Sequence, residues 1–244
     1  MEYTLDGRKM VTTHDGGHMP AILARPPSGW GPGLVLLHEI FGVTAYIRRR
    51  ARDLAALGYD VLVPELFWRL GSGVELPEDT PEGLQQGISY VMRLEQPQAV
   101  DDAVAAVEHL RGLPETGERA GVLGFCMGGR LAYLVGVAGE PDVVVSYYGS
   151  GIGDMLEAAP KLSAPALFHF GEADTYLPIE EAERIRQAFS AHPNAEVHIH
   201  GGAGHAFDNP SPMFHSAPAS AEAWPQTVNF LMRHLPTQAA EPTA

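Results

Sequence analysis

The sequence predicts an α/β fold with a mainly parallel central sheet and helices on both faces. Three observations predict it. Short continuous apolar runs, such as Gly33-Leu34-Val35-Leu36-Leu37, have the length and composition of strands buried on both faces. Between them lie longer segments whose apolar residues recur every three or four positions, the period of an amphipathic helix. The two kinds of segment alternate along the chain, so the helices serve as crossovers between parallel strands. No internal repeat and no linker divides the 244 residues, a common size for one α/β domain. That domain is expected to span residues 1–237, with 238–244 a frayed tail.

Residues 1–27 alternate polar and apolar, with turn signals at Asp6-Gly7 and Asp15-Gly16-Gly17. They read as two or three short antiparallel strands ending near Pro26-Pro27. Strand 33–37 runs into His38-Glu39-Ile40-Phe41-Gly42. Thr44 is placed to cap a helix in which Ile47, Ala51, Leu54, Ala55 and Leu57 share a face until Gly58 ends it. Strand 59–64 follows. Residues 64–80 hold Pro64, Gly71, Gly73 and Pro77 without a period, and are expected to form a long loop over a pocket. Helices near 81–93 and 97–112 precede strand 120–125 and helix 127–138. Strands 141–148 and 165–170, helix 179–190, strand 196–200 and helix 219–234 complete the order. Trp30, Phe67, Trp68 and Tyr90 belong to core or pocket wall, and the sequence does not divide them.

Thirty acidic against sixteen basic residues give a formal charge of −14, which argues against nucleic acid or an anionic membrane as the main partner. The single cysteine excludes an intrachain disulfide framework and a Cys-rich zinc site, and suits a reducing compartment. The stretch from Met1 to Asp6 lacks the basic region and apolar run of a signal peptide. No stretch approaches the roughly eighteen apolar residues of a membrane span. The expectation is a soluble cytoplasmic protein, a monomer rather than an oligomer, acting on a small molecule.

Ligands of open α/β sheets bind beyond the carboxyl ends of the strands, and His38-Glu39, Cys126, Asp174 and His205 all fall at such ends. Gly124-Phe125-Cys126-Met127-Gly128-Gly129 joins a strand to a helix in the pattern of a nucleophile elbow, with sulfur in place of the serine oxygen. A helix N-terminus favours the negative charge of a thiolate or oxyanion at that point. Acyl transfer needs a nucleophile, a base, and a group that orients the base. Cys126, Asp174 and His205 follow in the chain order of such a triad, with His205 on a glycine-rich loop. Plainer readings exist for each: a small buried cysteine, an aspartate favoured in turns, a loop histidine without a role. The joint occurrence of all three favours chemistry.

Gly124-Phe125-Cys126-Met127-Gly128-Gly129-Arg130, His38-Glu39-Ile40-Phe41-Gly42, Tyr147-Tyr148-Gly149 and Ala203-Gly204-His205 together resemble the dienelactone hydrolase (carboxymethylenebutenolidase) family. The likeness runs from the first strand to about residue 235. It implies an α/β-hydrolase fold and hydrolysis of a lactone or ester through a thioester, without metal or cofactor. In that scheme Cys126 is the nucleophile, His205 the base and Asp174 the orienting acid. The resemblance also implies that Glu39 accepts a hydrogen bond from the resting thiol and suppresses it until substrate displaces the carboxylate; capping of the following helix is its alternative role. Backbone N–H groups of Ile40 and Met127 are the expected oxyanion hole.

Degradative members of that family hold a substrate carboxylate with arginines, one in the helical stretch after the long loop and one four residues past the histidine. Here that second position is Asn209, and residues 81–86 contain no arginine. Arg69 and Arg93 remain as candidate anchors, although Asn209 cannot supply the bidentate charged contact of an arginine. Neutral esters are therefore expected to be used at least as well as free acids. His198 and His200 share a strand face near His205 and suggest a metal site, against which stand the absence of an evident orienting carboxylate and the need for His205 at Cys126. An acyltransferase or thioesterase activity at the same site, or a redox-sensing thiol without turnover, are the competing functions.

Overall fold

The computed structural model describes residues 5–237. The tail expected at 238–244 lies outside the described residues. The chain runs β1 (Leu5–Thr12), β2 (His18–Ala24), β3 (Gly31–Leu37), α1 (Ala45–Ala56), β4 (Asp60–Pro64), α2 (Pro81–Arg93), α3 (Gln96–Arg111), β5 (Thr116–Phe125), α4 (Met127–Ala138), β6 (Val144–Tyr147), β7 (Ala166–Gly171), α5 (Ile179–Ala188), β8 (Ala195–His200) and α6 (Ala217–His234). All eight strands form one sheet in the order β1-β2-β4-β3-β5-β6-β7-β8. The pairings β1–β2 and β2–β4 are antiparallel, and every pairing from β4 to β8 is parallel. This is the α/β-hydrolase fold.

The continuous apolar strands are buried on both faces, as their composition requires. In β3, Val35 and Leu37 face one core with α3, α4 and α5, while Leu34 and Leu36 face a second core with α1 and α6. Leu110, Leu131 and Ile185 cover the first face; Ile47, Leu54, Phe230 and Leu231 cover the second. Helix α1 ends where Gly58 takes φ +105°, a left-handed conformation that glycine adopts without a Cβ penalty.

Two expectations are corrected here. Thr44 occupies the N-cap position of α1 but makes no capping bond, because its hydroxyl donates instead to Glu78 at 2.9 Å. The segment 64–80 does not cover the cavity that holds Cys126; helix α2 does, through Leu84, Ile88, Val91 and Met92. Residues 64–80 wrap around the mouth of the first βα turn, where Gly42 bridges to Glu75. Of the aromatic residues left open by the sequence, Phe67 is core and stacks near Tyr90, Trp68 donates its indole N–H to Asp102, and Trp30 is partly exposed. None of them lines that cavity.

Candidate active site

Strand order turns back on itself at β3, which lies between β4 and β5, and this switch point opens a crevice beyond the strand ends. Cys126 follows β5 directly and has φ +54° and ψ −116°, a strained conformation for a residue with a side chain. Two glycines make the turn possible. A Cβ on Gly124 would lie 2.0 Å from the Gly128 carbonyl oxygen, and one on Gly128 would lie 2.3 Å from that of Leu37. Met127 begins α4, so its N–H is among those without an intrahelical acceptor.

The loop after β8 brings His205 over the elbow. Its Nε2 lies 3.0 Å from Cys126 Sγ and its Nδ1 lies 2.7 Å from Asp174 Oδ2. A carboxylate only accepts, so Nδ1–H donates to Asp174 and Nε2 faces the sulfur. Asp174 is fixed in turn, because its Oδ1 accepts from the N–H groups of Tyr176 and Leu177 at 2.8 and 3.0 Å. The imidazole sits between the rings of Tyr148 and Tyr176, at centroid distances of 5.3 and 5.1 Å. Burial opposes a charge on His205, but attraction to Cys126 and the bond to Asp174 outweigh it and hold its pKa well above the ordinary value.

Glu39 stands two residues beyond β3. His38, fully buried and kept neutral by desolvation, accepts from the Leu66 N–H at Nε2 and therefore donates from Nδ1 to the Glu39 carbonyl at 2.6 Å. The Glu39 carboxyl does not accept from the thiol, which corrects the expectation for the resting state. Its Oε2 accepts instead from Asn209 Nδ2 at 2.6 Å, and its buried Oε1 makes no hydrogen bond of standard geometry. The same Nδ2 donates to Glu78 at 2.9 Å, and Asn209 Oδ1 accepts from the Ser211 N–H, which orients the amide. Burial is the main reason that the Glu39 pKa is pushed up to about 8; Glu78 adds to it, while Asn209, His205 and, weakly, Tyr148 oppose it. Glu78 is raised as well, again chiefly by burial.

The cavity beside Cys126 measures about 180 Å³. Glu39, Ile40, Phe41, Ser150, Tyr176, His205 and Phe214 line it together with the four apolar residues of α2. Arg69 and Arg93 are not among them. Arg69 is held by Asp15 and Asp102, with Oδ atoms at 2.9 and 2.8 Å, and Arg93 lies 5.7 Å over the Tyr90 ring. Asn209 sits behind Glu39 and reaches the cavity only through that carboxyl.

The model of the dienelactone hydrolase family matches residues 19–235. The chain belongs to the dienelactone hydrolase family. A carboxymethylenebutenolidase of Pseudomonas putida is 32% identical over 232 residues, which cover 95% of this chain and 97% of the relative. A crystal structure of a Klebsiella pneumoniae protein, described provisionally as a dienelactone hydrolase, superposes with a TM-score of 0.79 at 27% identity, covering 93% of this chain and 98% of that one. A dienelactone hydrolase from Anabaena variabilis shares the fold with a TM-score of 0.72 at 18% identity, covering 96% of this chain and all of its own.

Within this hydrolase family fold, several site residues escaped the sequence. Glu78, Ser150, Tyr176 and Phe214 come from loops with no periodic signal. The α2 stripe of Leu84, Ile88, Val91 and Met92 was visible as helical spacing, but nothing in the spacing says that the stripe faces a cavity. The histidine pair is also resolved. His198 faces Glu196 and His200 faces Glu222, each at 3.3 Å, so orienting carboxylates do exist that the sequence reading passed over. Among the described residues, no three or more His, Cys, Asp or Glu side chains are grouped to hold a metal ion. No described helix is long and apolar enough to cross a membrane.

Proposed function

We propose that the chain hydrolyses small lactones or carboxylic esters with Cys126 as nucleophile, His205 as base and Asp174 as the group that orients His205. One observation carries this reading: the continuous array Asp174–His205–Cys126, with 2.7 and 3.0 Å contacts, on a strained elbow at the floor of a cavity. The family membership supports the reaction class.

His205 takes the thiol proton, and the sulfur attacks the carbonyl carbon of the ester. The carbonyl electrons move to oxygen, and the backbone N–H groups of Met127 and Ile40 receive that oxyanion. Collapse expels the alkoxide, which leaves with the proton from His205, and a thioester on Cys126 remains. Water then loses a proton to His205 and attacks the thioester. The acid departs, the proton returns to sulfur, and the sum is ester plus water to acid plus alcohol. With a lactone the alcohol and the acid are two ends of one product. The raised His205 pKa fits an imidazolium stabilised beside sulfur and Asp174.

The test is mass spectrometry of rapidly quenched protein during turnover of a p-nitrophenyl ester, alongside Cys126→Ala. The expected result is a mass increase of one acyl group on Cys126, and loss of turnover in the variant with the fold retained. Turnover by Cys126→Ala at the wild-type rate would overturn the assignment.

A further inference from the structure

Besides Cys126, the cavity wall holds one carboxyl, Glu39, which burial keeps protonated near pH 7, and one basic side chain, His205. The one cation, His205, is engaged by Asp174 and Cys126. Behind Glu39 stands a second carboxyl, Glu78, on the same amide. A substrate carboxylate entering here would lose its water without gaining an unengaged cation. Leaving a charge unpaired in that way is strongly unfavourable.

Apart from Ser150 and Tyr176, the remaining wall is apolar, with Ile40, Phe41, Leu84, Val91 and Phe214. Outside it the apolar surface continues. Ile88 is 42% exposed, Met92 83% and Tyr176 54%, although all three line the same cavity. Leu84, Ile88, Val91 and Met92 occupy one face of α2, the face a globular helix normally buries. Here that face ends over open solvent at the mouth of the crevice. At about 180 Å³ the enclosed part is smaller than the roughly 300–1,000 Å³ of pockets that engulf a drug-sized ligand, so it holds the reacting end and little more.

We propose that the site takes uncharged esters or lactones with an apolar acyl or alkyl part, and that this part runs out of the cavity over Ile88, Met92 and Tyr176. The proposal rests on Cys126 being the nucleophile, and its occupant is a substrate rather than a second protein because the apolar rim is continuous with the wall beside the sulfur.

Each methylene buried on the rim is worth about 0.8 kcal/mol, or about fourfold in kcat/KM. Across p-nitrophenyl acetate, butyrate and hexanoate, kcat/KM is expected to rise at least about tenfold. p-Nitrophenyl methyl succinate is expected to exceed p-nitrophenyl hemisuccinate. Ile88→Asp, a change at an exposed helix position, should lower the hexanoate-to-acetate ratio by about tenfold while the melting temperature stays near the wild-type value. A flat chain-length series, or a preference for the hemisuccinate, overturns the proposal. A second measurement does not depend on turnover: protection of Cys126 from iodoacetamide by 2-octanone or by octanoate. Protection by the ketone alone supports the proposal even if no ester is hydrolysed, in which case the hydrolase reading fails by itself. Equal or better protection by octanoate overturns the proposal even if the esters are turned over.

Discussion

Replacing Glu39 with Gln tests whether the buried carboxyl of the first βα loop is neutral. Gln keeps the acceptor that Asn209 Nδ2 binds and puts an amide where Oε1 makes no hydrogen bond, so it imitates the protonated acid. The native carboxyl holds its proton up to about pH 8, against 4.5 for an ordinary glutamate, chiefly because burial penalises its ionised form. A group that binds its proton more tightly when folded stabilises the native state fully below the unfolded value, and the gain is lost as pH rises through about 8. Between those limits the loss is about 1.4 kcal/mol per pH unit. From pH 5.5 to 8.5 wild type should therefore lose roughly 3 kcal/mol more than Glu39→Gln, and at this chain length that is roughly 6–12 °C in melting temperature. The assay is urea unfolding of both proteins across that range, with the difference between them isolating Glu39 from the other titrating groups. Parallel pH profiles would refute the reasoning, since Glu39 would then be ionised in the native state near neutrality. Alkylation of Cys126 gives a second readout. A neutral Glu39 cannot oppose the thiolate near pH 7, so the variant should react faster only above about pH 8, where the wild-type carboxyl ionises.

Asp174→Asn should fold, because an amide oxygen can still accept from Tyr176 and Leu177, yet kcat should fall on the order of 10³–10⁴-fold as His205 loses its orienting acceptor; a loss under about tenfold would remove Asp174 from the reaction. Asp208→Asn attacks the loop that carries His205: buried Asp208 accepts from Arg50 through both oxygens and from Tyr46 and Ser220 at 2.6 Å, so removing its charge should cost about 3–5 kcal/mol in urea unfolding, and a cost under about 1 kcal/mol would contradict the burial of that pair.

Much of this protein was legible in the sequence because the signals are local. Apolar runs of strand length and helical spacing of apolar residues depend only on near neighbours, and they placed the sheet and its crossover helices within a few residues. The elbow was legible for the same reason, since the glycines at 124 and 128 answer to a turn a few residues long. Chain order then carried Cys126, Asp174 and His205 to the correct strand ends. What the sequence could not supply was the side-chain geometry between distant segments. Glu39 and Asn209 are 170 positions apart, and only folding brings the amide onto the carboxyl and turns it from the thiol. Burial, likewise, is a property of the assembled core. It makes Glu39 a neutral acid near pH 7, whereas the sequence suggested a negative charge. Arg69 was a plausible anchor by composition until Asp102, 33 positions away, claimed its guanidinium. The sequence by itself determined the fold class and the three residues that meet at the elbow. Tertiary structure alone decided which carboxyls are charged, which cations are already paired, and that an apolar helix face lies over the sulfur, because desolvation and pairing depend on neighbours that chain order does not specify.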